Sequence, residues 1–327
     1  MFETISIPIK LPIKKTNSTV IFDEPLSIID PGVKSLNTLK MIDETLQKKG
    51  KSLKDIRRIL LTHGHIDHFG AAMDIQKISG AEIFIHPHDF EKIQRKNRND
   101  DEFTLRYKDI LTQHGCPEKG LLGIDRFWDY IKDMYDPILE VSFYQDPFIK
   151  FATTKLEIIE TPGHTRGSVV FFHPETGLLI SGDTVIDGIT PNPVIEFLEN
   201  GNRFASQSCF RESIQKISSY PVKKIIGGHG KENGDPKSLF KSYQEEWSKN
   251  ETKLISLFEK HDSLSAYEAL VHIFGELEDF NIFLGMSEMI GSFDYLESKG
   301  NILYFEERGK VRAKIIEFAC KITENKD

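Results

Sequence analysis

Residues 62–70 read "THGHIDHFG", three histidines and one aspartate within nine residues. His63, His65, Asp67 and His68 follow directly on "IRRILLT" (56–62), a short apolar run that reads as a buried strand. In extended or turn geometry the side chains of residues i and i+2 point the same way. On a helix they would diverge by about 200°. The cluster therefore belongs to a loop at the end of a strand and not to a helical H-E-x-x-H site. Asp67 and His68 open the next helix, where an acid in the first turn is favoured by the helix dipole. Neighbouring ligands that point different ways can serve two adjacent metals.

A complete site needs more ligands, and three further stretches supply them. "TPGHTRGS" (161–168) places His164 after the strand-like run "KLEIIE". "SGDT" (181–184) places Asp183 after "LLI", and "GGHG" (227–230) places His229 after "VKKII". Each candidate stands where a strand runs into a loop of small residues, a place from which a rigid sheet can aim side chains. Gly163, Gly182, Gly228 and Gly230 flank them and permit close backbone approach. A single histidine of this kind is more often a turn or core residue than a ligand. "IHPH" (85–88) is such a case, and His86 and His88 read as a strand-to-helix junction. Seven candidates, each at a strand end, are a different matter. Imidazole and carboxylate together suit Zn²⁺ and, less selectively, Fe or Mn.

The order H-x-H-x-D-H, then His, then Asp, then His resembles the metallo-β-lactamase superfamily of binuclear hydrolases, over roughly residues 17–232. The resemblance implies an α/β fold, a four-layer αββα sandwich. It implies that His63, His65 and His164 bind one divalent metal, that Asp67, His68 and His229 bind the other, and that Asp183 bridges them. Two metals roughly 3.5–4 Å apart would share a water whose pKa falls to about 7. Hydrolysis would then proceed by metal-bound hydroxide, with Asp67 orienting the attacking water and no Ser or Cys nucleophile.

Departures from relatives narrow the branch. The main zinc β-lactamase subclasses lack the bridging acid, which Asp183 supplies here. Flavodiiron oxidoreductases carry Glu where this chain has His65. Persulfide dioxygenases carry a "GRTDF"-like stretch where this chain has "TVIDGITPNPVIEF" (184–197). The extra motifs of the tRNA 3′-processing and cleavage-factor branches are not found. What remains is similar to the glyoxalase II-like branch, which hydrolyses thioesters, esters or phosphodiesters.

Bulk properties agree with a globular enzyme. The 327 residues are 39% hydrophobic and 28% charged, with a formal net charge of −8. That balance gives no global attraction to nucleic acid or to an anionic membrane. The N-terminal "MFETISIPIKLPIKK" lacks an apolar h-region and a cleavage site, and no run approaches the ~18 apolar residues of a membrane span. Cys116, Cys209 and Cys320 are odd in number and far apart, as reduced thiols are. The expected compartment is the cytoplasm.

Along the chain a β-α-β-α-β rhythm fills the first ~85 residues. It includes a hairpin turning at Glu24-Pro25 and a helix with the apolar stripe Leu36, Leu39, Ile42, Leu46. Residues 89–150 are charged, aromatic and helical, and read as a cap inserted in a catalytic domain spanning 1–234. Its aromatics, Phe103, Tyr107, Phe127, Trp128, Tyr130 and Tyr135, with Lys92, Arg95, Lys96 and Arg98 before them, would suit an acyl chain on an anionic carrier. Trp128 and Arg95 are the candidates for substrate contact. A packed helical hairpin with a solvated charged face is the competing reading.

Residues 235–327 read as helices followed by two short strands, Ile302–Phe305 and Val311–Lys314. This tail is similar to the winged-helix-like domain of the lactamase-like protein 2 branch. The recognition-helix equivalent, 286–299, carries Glu288, Asp294 and Glu297 against Lys299 alone. Such a helix does not neutralise phosphates, so a structural or homodimerising wing is expected and a nucleic-acid partner is not. The expected activity is hydrolysis of a small-molecule thioester or ester of the acyl-CoA or glutathione-thioester type. A metal-dependent endoribonuclease or phosphodiesterase and a weakly catalytic binding or signalling protein stand as alternatives.

Overall fold

Strands alternate with helices through the first 94 residues as the hydrophobic periodicity requires, and a computed structural model of the chain describes residues 1–95 and 101–316. Lys96, Arg98 and Cys320 lie outside the described residues. The elements run β1 Phe2–Pro8, β2 Lys15–Ile21, β3 Ser27–Ile29, α1 Leu36–Gln47, β4 Arg58–Leu60, α2 Ile66–Phe69, α3 Ala72–Ser79, β5 Glu82–Ile85 and α4 Pro87–Gln94. After them come α5 Glu102–Gln113, α6 Glu118–Ile131, β6 Ser142–Phe143, β7 Phe148–Lys150, β8 Lys155–Glu160, β9 Val169–His173 and β10 Leu178–Gly182. The rest is α7 Ser206–Ser218, β11 Lys224–Gly227, α8 Pro236–Phe258, α9 Ala266–Phe274, α10 Phe280–Ser298, β12 Ile302–Glu307 and β13 Lys310–Ile315.

The chain divides into two compact units. The first comprises the described residues of Met1–Lys96, then Ile131–Pro191 and Cys209–Phe240, and contains both large sheets. One sheet has the order β1-β2-β3-β4-β5-β6, antiparallel through β3 and parallel beyond it. The other has the order β11-β10-β9-β8-β7, with only β10 and β11 parallel. Ile21, Ile29 and Leu60 of the first sheet share a buried cluster with Leu156, Val169, Phe171, Ile180 and Ile226 of the second. The two sheets therefore pack face to face, each strand giving alternate apolar side chains to the common core. Helices α1 and α3 lie against strands β1 and β5, which makes this the expected mixed α/β sandwich.

Local chemistry explains several element ends. Ser35 caps α1 by accepting from Thr38 N at 3.0 Å. Leu36, counted in the apolar stripe, is 88% exposed, because the buried face of α1 runs through Thr38, Ile42, Thr45 and Leu46. His86 and His88 form the strand-to-helix junction expected of them. His86 is the N-cap of α4, its Nδ1 accepting from His88 N at 3.2 Å with Pro87 at the first helical position.

The second unit comprises the described residues of Asn97–Tyr130, then Asn192–Ser208 and the described residues of Lys241–Asp327. Its core joins Tyr107, Leu111 and Ile124 to Leu254, Phe258, Leu270, Met286, Ile290 and Phe293. The helices read as a cap on the catalytic domain thus share a hydrophobic core with the C-terminal segment. Helical periodicity shows that a face is apolar but not which core it meets. Phe103 and Trp128 pack against the same cluster, and the Phe127 ring stacks on Phe280 at 3.7 Å. Of these helical aromatics Tyr130 stands out as exposed, at 52%.

The two short strands expected in the tail are present as the β12–β13 hairpin, and Leu264 bridges to Ala313 beside it. Within residues 286–299, which end at the C-cap of α10, only Glu297, Ser298 and Lys299 are exposed. Asp294 accepts from Arg203 Nε at 2.9 Å and Nη2 at 2.5 Å, and from the Tyr304 hydroxyl at 2.8 Å. No described helix is long and apolar enough to cross a membrane.

Candidate metal centre

Four strands of the first unit end at one place. Beyond β4 come His63, His65, Asp67 and His68, beyond β8 comes His164, beyond β10 comes Asp183, and beyond β11 comes His229. All seven expected residues are brought together. His63, His65, His164 and Asp183 present ligand atoms within 4.8 Å of one another, and so do Asp67, His68 and His229. Asp183 lies at the boundary of the two groups, with Oδ2 3.6 Å from His164 Nε2 and 3.3 Å from His229 Nε2, and Oδ1 3.3 Å from His68 Nε2. Asp67 Oδ2 is 3.3 Å from His229 Nε2. His65 turns its Nδ1 inward, 2.9 Å from His164 Nε2. A Cβ at Gly228 would stand 2.3 Å from Asp183 Oδ1 and 2.6 Å from His68 Cε1, so the bare backbone there is what lets the loop close on the acid.

The outward ring nitrogens are held by a frame of polar groups. Asp30 follows β3 in left-handed conformation, with φ 49°, a region that a short polar side chain tolerates. Its Oδ1 accepts from Thr62 N at 2.8 Å, and its Oδ2 accepts from Thr62 Oγ1 at 2.6 Å and stands 2.9 Å from His68 Nδ1. With its hydrogen given to Asp30, Thr62 Oγ1 accepts from His63 Nδ1 at 3.0 Å. His229 Nδ1 donates to the Lys15 carbonyl at 2.6 Å. In each of these rings the nitrogen away from the centre is fixed, which leaves Nε2 aimed inward, the arrangement that orients metal-binding imidazoles.

The inward atoms face only one another. His63 Nε2, His68 Nε2 and Asp183 Oδ1 are buried and make no hydrogen bond, a state that costs about 1–3 kcal/mol per group unless something occupies the space. The electrostatics say what that something is. Burial, together with neighbouring His68, lowers His63 well below the ordinary histidine range, and burial with His164 pushes His65 down to about 3. Both are neutral, as ligands must be. Burial alone would also lower His68 and His229. Instead Asp183 and Asp30 raise His68 well above its usual value, and Asp183 with Asp67 lifts His229 to about 10. Burial opposes ionisation of the two acids, yet His229 and His68 hold Asp183 well below the carboxylate range, and His68 and His229 bring Asp67 to about 2. The two buried carboxylates are thus ionised and draw positive charge onto His68 and His229, a place that a cation fits.

Neither substrate-contact candidate is part of this cluster. Trp128 belongs to the second unit's core, and Arg95 ends α4, its carbonyl accepting from the Tyr135 hydroxyl at 2.8 Å. Lys92, read as part of a basic lip, is ion-paired with buried Asp89 at 2.6 Å. Sequence reasoning missed Asp30, Asn17 and Asp89. Asp30 carries the same signal as the ligands, an acid at the end of a parallel strand, but "DPG" (30–32) reads first as a turn.

Comparison with known proteins agrees with the geometry. A family model described as the metallo-beta-lactamase superfamily matches residues 12–229. The probable metallo-hydrolase YqjP of Bacillus subtilis (strain 168) is 23% identical over 317 residues, covering 92% of this chain and 96% of that protein. The hydroxyacylglutathione hydrolase GloC of Haemophilus influenzae is 28% identical over 179 residues, 53% of this chain and 68% of that protein. A metallo-beta-lactamase family protein of Thermus thermophilus shares the fold, with a TM-score of 0.81 at 20% identity over 96% of this chain and 98% of that one.

Proposed function

The chain belongs to the metallo-beta-lactamase superfamily, and on that premise we propose that it is a binuclear metallo-hydrolase acting on a thioester or ester. His63, His65 and His164 would hold one divalent ion and Asp67, His68 and His229 the other, with Asp183 shared. The observation that carries this reading is the pair of donor groups meeting at Asp183 with buried Nε2 and Oδ1 atoms that nothing in the protein satisfies. Two such ions, zinc first by the donor set and iron or manganese compatible with it, supply Lewis acidity and a water acidified to near neutral pH.

The protein's own groups do the rest. Asp67 stays ionised and accepts from His229, so its carboxylate orients a water beside the centre. Asp30 keeps His68, and through Thr62 also His63, in the tautomer that presents Nε2. The buried loops keep bulk water from competing for the same donors. For the substrate, the likeness to a hydroxyacylglutathione hydrolase over half of the chain supports a thioester. The pairing of Asp294 of α10 with Arg203 and the burial of much of that helix give no support to nucleic acid.

The test joins metal analysis to a substrate panel. The purified protein should carry close to two transition-metal ions, and chelation should abolish turnover of acyl-CoA or glutathione thioesters, with activity returning on remetallation. Turnover of RNA with none of thioesters, esters or lactones would replace this reading by the phosphodiesterase one. Active protein free of metal would end it.

A further inference from the structure

Asp89 lies in the first turn of α4, is fully buried, and belongs to neither donor group. Its carboxylate nevertheless takes four hydrogen bonds. Oδ2 accepts from Gly64 N at 2.7 Å and from Thr165 Oγ1 at 2.7 Å. Oδ1 accepts from Gly167 N at 3.0 Å and from Lys92 Nζ at 2.6 Å. Gly64 stands between His63 and His65, and Thr165 follows His164. One carboxylate therefore joins the two loops that carry His63, His65 and His164.

The glycine in "GHTRGS" records the same contact. A Cβ at Gly167 would stand 2.7 Å from Asp89 Oδ1 and 2.8 Å from Cγ, so this position is small because the acid occupies the space. Lys92 supplies the compensating charge. Burial would push Asp89 up, but Lys92 and the hydrogen bonds hold it at about 2. The carboxylate is thus ionised at neutral pH.

His229 of the other donor group is held differently, by strand β2. Asn17 Nδ2 donates to Gly227 O at 2.9 Å and Gly230 O at 3.1 Å, and Asn17 N donates to Gly228 O at 2.6 Å. These bonds bracket His229 and leave the His164 loop untouched.

We propose that Asp89 is a positioning residue for one half of the metal centre. It fixes the His63–His65 loop against the His164 loop at the separation a cation requires, while Asn17 performs that task for His229. The proposal rests on the two-ion reading above. Carboxylates that orient ligands from behind typically contribute 10–100-fold to metal affinity.

Stepwise cobalt titration of the full chain, followed by visible absorption and by chelator competition without substrate, tests it. His164→Ala and His229→Ala identify which binding step belongs to which half. Asp89→Asn keeps the shape but turns an amide NH₂ toward donors, and should weaken the His164 step about 10–100-fold while leaving the other step unchanged. Asn17→Ala should do the reverse. Thr165→Val removes one of the four bonds and should weaken the same step by less, which decides the matter if Asp89→Asn does not fold. Equal weakening of both steps, or a lower melting temperature with unchanged affinities, would overturn the proposal. Failure of the unmodified chain to take up two cobalt ions would count against the binuclear reading itself and carry Asp89 with it. Two ions bound normally with no selective effect would remove Asp89 alone.

Discussion

His68 in the first unit and His114 in the second are equally hidden, at 0% and 1% exposure, yet they belong to different kinds of interior. His68 has one nitrogen fixed by Asp30, and the other faces the Asp183 carboxylate at 3.3 Å. His114 makes no hydrogen bond through either nitrogen, rests edge-on against Tyr304 at 5.7 Å, and is pushed by burial down to about 4. The first is held at one end and presented at the other; the second is packed like an apolar residue. Burial alone therefore does not mark a ligand. What marks one is a fixed outer nitrogen together with an unsatisfied inner one.

Three substitutions put this contrast to the test. Asp183→Ala, which removes the shared acid, should lower metal content toward one ion or none and reduce hydrolysis more than about 100-fold, since even outer partners of metal ligands contribute 10–100-fold. Elemental analysis and turnover measured on the same sample check it, and full metal content with full activity would erase the distinction between the two interiors.

Arg203→Met should do the opposite. It leaves Asp294 of the second unit with only the Tyr304 hydroxyl, at the cost of about 2 kcal/mol, between the values for exposed and buried pairs. Metal content should stay at the level of the unmodified chain. Denaturant unfolding and metal analysis together read both effects.

His114→Leu should be the mildest, within about 1 kcal/mol at pH 7, because no hydrogen bond is lost. Its effect grows with acid. Unfolded His114 takes up a proton below its ordinary value of 6.5 and the folded form only below about 4. Stability is therefore fully present above the first value and falls as pH drops through the window between them, by up to about 3 kcal/mol. The leucine variant should lack that part of the acid sensitivity, and unfolding curves at pH 7 and pH 4.5 would reveal it.

The candidate ligands were legible in the sequence because each stretch follows a strand, and glycines stand beside His63, His65, His164, Asp183 and His229. The frame behind them was not. Asp89 is one acid among many charged residues after "IHPH", and Asn17 sits inside a strand whose pattern is apolar and polar without a motif. Their partners are Thr165 and Gly230, far along the chain, and such pairings follow from strand order, which periodicity does not encode. The helices at 102–131 were legible as helices, while their partner core was not. For α10 the signal existed: "FNIFLGMSEMIGSF" (280–293) is apolar on nearly every face, the pattern of a central helix rather than a reading head.

The bond from His229 to the Lys15 carbonyl, with Asn17 beside it, joins residues separated by 214 positions. Seen as an order of events during synthesis, it means that strand β2 leaves the ribosome long before its last tenant exists. At the usual elongation rates, roughly ten to thirty seconds pass between the emergence of "HGHIDH" and that of His229. The nascent chain carries four donors at the start of that interval, and His164 and Asp183 join them before His229 does. A cation caught early would meet a partial, mobile set and exchange quickly. Tight retention would begin only when the far end of the first unit closes onto its near end, where His229 meets Lys15.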